Sequence, residues 1–128
     1  MFAAANAADP DHRACVDLLT GAQPPLVVPG PVVAELTYLV GRTLGPHAEA
    51  TVLRSLATDR YRIEPLLPSD LVRMAEIVEQ YADLPLGGTD AAVVAIAERL
   101  QLDTVATLDR RHFSVVRPSH VEALTLVP

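Results

Sequence analysis

Residues 84–109, LPLGGTDAAVVAIAERLQLDTVATLD, decide how the chain is read. After the loop PLGG at 85–88, the stretch TDAAVVAIAERL at 89–100 is apolar almost all round, which predicts a helix buried on most sides. TVATLD at 104–109 predicts a short strand that ends in an acid. A buried helix running into a strand is the unit from which helix-covered parallel sheets are built.

The same alternation extends in both directions. Upstream, PSDLVRMAEIVEQYADL at 68–84 carries Leu71, Met74, Ile77, Val78 and Tyr81 at helical spacing, with Ser69 or Asp70 as its cap. Before it, YRIEPL at 61–66 predicts a strand and PHAEATVLRSLATD at 46–59 a helix that follows Gly45 and Pro46. GPVVAELTYLVGRTLG at 30–45 places Pro31 at a helix start and apolar residues at 32, 33, 36, 39 and 40. PLVVP at 25–29 fits a buried parallel strand, and PDHRACVDLLTG at 10–21 a short helix capped by Asp9 or Asp11 and stopped by Gly21. Downstream, ALTLV at 123–127 predicts a last strand. No internal repeat or interior linker interrupts the pattern, so residues 1–128 are read as one α/β domain with a mostly parallel sheet between helices.

Composition narrows the function classes. Of the 128 residues, 50% are apolar, enough for a real core. No apolar run reaches the length of a bilayer span, and the first residues lack the basic flank and long apolar stretch of a secretion signal, which implies a cytoplasmic protein. The formal charge of −6 argues against a general nucleic-acid coat, which needs a basic stripe, but not against a nuclease with few local cations. All ten basic residues are arginine, a side chain that grips phosphate through paired hydrogen bonds. The single cysteine, Cys15, cannot form an internal disulfide and reads as a small buried hydrophobe. His12, His47 and His120 show no metal-ligand spacing and read as surface residues.

Sheets of this kind collect ligands beyond the carboxyl ends of their strands. Three of the sixteen acids stand apart from a solvated-surface pattern: Glu35, Asp90 and Asp109. Glu35 sits in VVAELTYLV with no basic residue three or four positions away, and is either a functional acid or a boundary residue with its head in water. Asp90 follows Thr89 at the head of the most apolar helix, where either residue could serve simply as a cap. Glycines at 87 and 88 would let the backbone turn tightly and leave room beside the carboxylate. Asp109 ends a strand, where an aspartate either begins a turn or reaches a site. Together the three could form a hard oxygen-donor site for Mg²⁺ or Mn²⁺. Arg110, Arg111 and His112 come next and could position phosphates, or form a solvated turn. Thr89 could hydrogen-bond a carboxylate or phosphate, and Asp83 reads as an exposed loop acid with a weaker claim to the site.

The blocks VVPGPVVAELTYLV (27–40), LPLGGTDAAVVAIAERL (84–100) and TVATLDRRHFSVVRP (104–118), in this order and spacing, resemble the acidic blocks of the PIN domain, specifically the VapC-type toxins of toxin-antitoxin pairs. The resemblance implies a three-layer α/β/α sandwich, a Mg²⁺- or Mn²⁺-dependent endoribonuclease activity, RNA as substrate and a cognate VapB-type antitoxin as partner. It further implies a homodimer, and contact with DNA only through the antitoxin. Glu35, Asp90 and Asp109 match the second, third and fourth acids of the pattern, with Asp90 and Asp109 expected at the metal and Glu35 acting directly or through water.

The first acid of the pattern has no match. FAAAN at 2–6 reads as the tail of the family's first, central strand, so the strand and its aspartate would lie upstream of Met1. Loss of a central strand would unpair its neighbours and open the core. Two function classes follow: a metal-dependent ribonuclease toxin, or a catalytically impaired PIN-like module that still binds an antitoxin or dimerises.

Overall fold

The computed structural model describes residues 1–84 and 86–128; Pro85, the first residue of the expected PLGG loop, lies outside the described residues. The chain divides into two compact units, Met1–Glu64 and Pro65–Pro128.

In the first unit the order is α1 (Phe2–Ala5), α2 (His12–Gly21), β1 (Leu26–Pro29), α3 (Gly30–Leu44), α4 (Pro46–Leu56) and β2 (Tyr61–Glu64). Strands β1 and β2 pair in parallel, Leu26 opposite Tyr61 and Pro29 opposite Glu64. Parallel pairing requires a crossover, and α3 with α4 supplies it. The apolar stripe of α3 turns Leu36 and Val40 into a core with Val28 of β1 and Leu56 of α4, flanked by Phe2, Val32, Val33 and Val52. Gly45 separates the two helices at φ +87, an extended positive-φ conformation that costs a side-chain-bearing residue about 1–3 kcal/mol, and Pro46 then starts α4 where a missing N–H does no harm. Arg60 ties the end of α2 to β2 by donating to the carbonyl oxygens of Leu19 and Ala22.

Two expectations change here. FAAAN does not form the tail of a strand: Phe2–Ala5 is a helical turn, and Phe2 packs against the α3 core. Alanine-rich residues with a single aromatic favour that turn over a strand. His12 is not a surface residue either, since its Nδ1 lies 2.9 Å from the Ala3 carbonyl oxygen in a half-buried position. Cys15 is buried and unpaired, as read. Helix α2 starts after Asp11, whose N–H donates to Asp9 Oδ1 at 2.9 Å, so the two aspartates share the turn and neither side chain caps the helix itself.

The second unit runs α5 (Pro68–Gln80), α6 (Gly88–Leu100), β3 (Thr104–Ala106), α7 (Arg110–Phe113) and β4 (Thr125–Val127). Strands β3 and β4 are parallel, Thr104 opposite Thr125 and Ala106 opposite Val127. Ile77 of α5, Ala91, Val94 and Ala95 of α6, Val105 of β3 and Phe113 of α7 form its core with Leu86, Val116 and Leu124. The sequence implied that α6 is covered nearly all round, and Ala91, Ala92 and Val94 through Glu98 are all buried. Among the described residues every strand pair is parallel and the strands are separated by helices, an α/β architecture.

The cap of α5 is neither Ser69 nor Asp70. Leu67 holds the cap position and Pro68 the first turn, so Asp70 falls at the third helical residue, where its Oδ2 accepts the Leu67 N–H at 2.8 Å. Asp70 is only 2% exposed and also accepts the Arg99 guanidinium at 2.9 Å. Glu98, 7% exposed, accepts two hydrogen bonds from Arg73, at 2.7 and 3.0 Å, and one from the Ser119 N–H at 2.8 Å. These pairs join α5 to α6 and to the segment before β4. His120 is part of the same scaffold rather than of the surface: its Nε2 lies 2.8 Å from the Leu102 carbonyl oxygen.

Candidate metal centre

The geometry of the site starts at two element boundaries in the second unit. Gly87 caps α6 without a side chain, which leaves Asp90 in the first turn, where unpaired N–H groups and the helix dipole favour a carboxylate. Asp90 is therefore not the cap, and neither is Thr89, which is half-buried. The structure requires glycine at neither position. Neither adopts a positive φ, and a Cβ built on either would meet nothing within 4 Å, so the approach to α6 is open.

Asp109 follows β3 and starts α7. Its backbone is fixed by its own N–H donating to Thr107 Oγ1 at 3.0 Å, and its Oδ1 accepts the His112 N–H at 3.2 Å, closing the cap of a single helical turn. Phe113, buried in the core, anchors that turn. Oδ1 serves the helix and Oδ2 faces away from it, toward the His112 ring.

The His112 Nδ1 lies 2.8 Å from Asp109 Oδ2 and 3.6 Å from Asp90 Oδ2. One ligand atom from each of Asp90, Asp109 and His112 falls within 4.8 Å of the others. Two carboxylates and an imidazole on fixed element ends are a donor set that a divalent cation fits, since hard cations take carboxylate oxygen and several divalent metals also take imidazole. The His112 ring nitrogens are buried, and the 2.8 Å approach of Nδ1 to Asp109 Oδ2 lacks the alignment of a directed hydrogen bond.

The structure thus brings Asp90 and Asp109 together and adds His112, which sequence reasoning grouped with the arginines. The signal was its spacing: three residues after an N-cap aspartate, a side chain returns to the face of the cap. Arg110 and Arg111 project from α7 into solvent, and among the described residues neither guanidinium has a carboxylate partner. Asp83 is an exposed acid in the turn after α5.

Glu35 belongs to the first unit, on the exposed side of α3 between the half-buried Val32 and Val33 and the buried Leu36. The division of the acids made from sequence therefore needs correcting. Glu35 and Asp109 are exposed, whereas Asp70, which read as a candidate helix cap, and Glu98, which fell in the surface pattern, are buried and paired with arginine. Burial alone would raise both carboxyls; hydrogen bonds from Arg99 and the Leu67 N–H to Asp70, and from Arg73 and the Ser119 N–H to Glu98, outweigh it and hold both below the usual carboxylate range.

The PIN domain family model matches residues 1–117. The chain is 41% identical over 123 residues to Ribonuclease VapC26 of Mycobacterium tuberculosis, an alignment covering 96% of this chain and 91% of that protein. The crystal structure of M. tuberculosis VapC20, described as a sarcin-ricin loop cleaving toxin, matches with a TM-score of 0.75 over 80% of this chain and 79% of that one. At 18% identity, that second likeness is one of fold.

Proposed function

Since this chain belongs to the PIN domain family, with VapC proteins as its relatives, we propose that it is a metal-dependent endoribonuclease of the VapC type, the toxin of a toxin-antitoxin pair. The observation that carries the reading is the convergence of Asp90 and Asp109 from two separate element ends, with ligand atoms close enough to share one cation. The 41% identity to a protein named as a ribonuclease supports it.

Asp90 and Asp109 would hold Mg²⁺ or Mn²⁺. When bound, such an ion supplies a more acidic water and offsets charge on phosphodiester oxygens. The chain's own contribution is positional. The first turn of α6 fixes one carboxylate and the cap of α7 the other, so the negative charge is assembled before substrate arrives. Arg110 and Arg111, free in solvent beside Asp109, would pair with RNA phosphates, and Thr89 would hydrogen-bond a phosphate or the Asp90 carboxylate. Glu35 takes its part by the family resemblance alone, acting directly or through water; Asp83 would be an accessory acid.

The proposed partners follow from the same reading: RNA as substrate, a VapB-type antitoxin that brings any DNA contact with it, a second copy of the chain in a homodimer, and the cytoplasm as compartment. Among the described residues no helix is long and apolar enough to cross a membrane.

The test is cleavage of a labelled RNA by the full chain with Mg²⁺ or Mn²⁺, with and without chelator. Cleavage should require the ion, and Asp90→Asn should lower it on the order of 100-fold or more, at least the loss seen for groups that merely support a metal ligand. Unchanged cleavage by Asp90→Asn would overturn the assignment. No cleavage under any metal condition leaves the second class, a PIN-like module that binds an antitoxin without cutting.

A further inference from the structure

His112 fits neither the acidic pattern nor the role of a solvent-facing phosphate contact. Its side chain is 15% exposed, turned inward from α7 while Arg110 and Arg111 point out. Both ring nitrogens are buried without a hydrogen-bond partner, although an imidazole nitrogen out of water normally finds one. Nδ1 is the atom directed at the two acids, 2.8 Å from Asp109 Oδ2 and 3.6 Å from Asp90 Oδ2. The main chain of His112 is already engaged in the cap, so the ring is held in this direction by the same turn that positions Asp109.

We propose that His112 is a nitrogen ligand of the cation held by Asp90 and Asp109, and that it tilts the site toward Mn²⁺ over Mg²⁺. The inference rests on the reading of those two acids as metal ligands. Mg²⁺ prefers an all-oxygen shell and keeps much of its water, whereas imidazole nitrogen suits first-row transition metals. Replacing one oxygen or water by imidazole therefore favours Mn²⁺ in the competition between the two ions.

The direct readout is pulsed EPR of Mn²⁺ added to the metal-free full chain, which detects magnetic coupling to a coordinated nitrogen. A histidine nitrogen coupling is expected that changes to the ¹⁵N pattern when the chain carries ¹⁵N-histidine and disappears in His112→Gln. By calorimetry, His112→Gln should bind Mn²⁺ about tenfold or more weakly while Mg²⁺ affinity changes less than about threefold. Mn²⁺ bound without histidine coupling in the wild-type chain, or an unchanged Mn²⁺ to Mg²⁺ preference in folded His112→Gln, would overturn the proposal. The labelled wild-type chain decides the matter alone if the variant does not fold. Should Asp90→Asn and Asp109→Asn bind Mn²⁺ as tightly as wild type, the acidic site itself fails. Loss of binding in those two variants with no histidine coupling removes only the role of His112.

Discussion

Glu98 shows how a charge can be kept inside a small unit. Its two carboxylate oxygens take three hydrogen bonds, two from the Arg73 guanidinium in a fork and one from the Ser119 main chain. Removing the acid leaves the partly buried Arg73 with its solvent-side partner Glu76, opens a cavity on its inner side and frees the Ser119 N–H. Glu98→Ala should therefore destabilise the chain by roughly 3–5 kcal/mol in urea titrations, the range for breaking a buried pair from one side. A cost below about 1 kcal/mol would mean that the pair behaves like one in solvent. The sequence carried no sign of this arrangement. An acid one position before Arg99 near a helix end looks like a surface residue, and the arginine it meets is 25 residues away. Pattern reading sees neighbours at three and four positions; long-range pairing is set by how α5 packs on α6.

At the scale of the element, α3, α5 and α6 were legible because each runs for 13 residues or more and carries a regular apolar face or cover. The strands among the described residues were legible because short stretches containing Val, Ile, Thr or Tyr lie between helical patterns. Helix starts were less so, because a proline in the first turn shifts the cap upstream: Leu67, not Ser69 or Asp70, begins α5. The four-residue helices α1 and α7 were not legible at all, since one turn has no period to read. For α7 this matters, because its cap is also half of the candidate site. Two substitutions separate the roles of Asp109. Asparagine caps as well as aspartate, so Asp109→Asn should leave stability within a few tenths of a kcal/mol while lowering metal-dependent cleavage. Asp109→Ala should lose both, with about 1 kcal/mol of stability gone by thermal or urea unfolding. If Asp109→Asn cleaves RNA like the wild type, the carboxylate serves only the helix.

Across the whole molecule, the two buried acids set the response to acid. Both Asp70 and Glu98 titrate lower in the folded chain than in an unfolded one, so the folded state binds fewer protons through the carboxylate range. Their contribution is fully present above the ordinary carboxyl values of about 4 and is lost as pH falls through the lowered ones. Urea midpoints should hold steady from about pH 7 to 5 and fall steeply below about 4, and Asp70→Asn combined with Glu98→Gln should flatten that fall. An equally steep fall in the double variant would assign the acid response to other groups. The net charge of −6 acts at the same scale. It gives no general attraction to RNA, so RNA binding of the kind proposed would rely on a few arginines and depend less on salt than that of a basic protein.

The shared use of Asp109 also has a thermodynamic side. One oxygen closes the turn of α7 and the other is turned to the ligand cluster, so an ion taken up there binds the folded arrangement and has no equivalent grip on an unfolded chain. Uptake and folding are then linked equilibria: a cation at about 100 times its dissociation constant adds about 2.7 kcal/mol to the folded state. If the proposed ion binds there, the melting temperature becomes a titration curve for it, and the persistence of the folded chain would track the supply of metal around it.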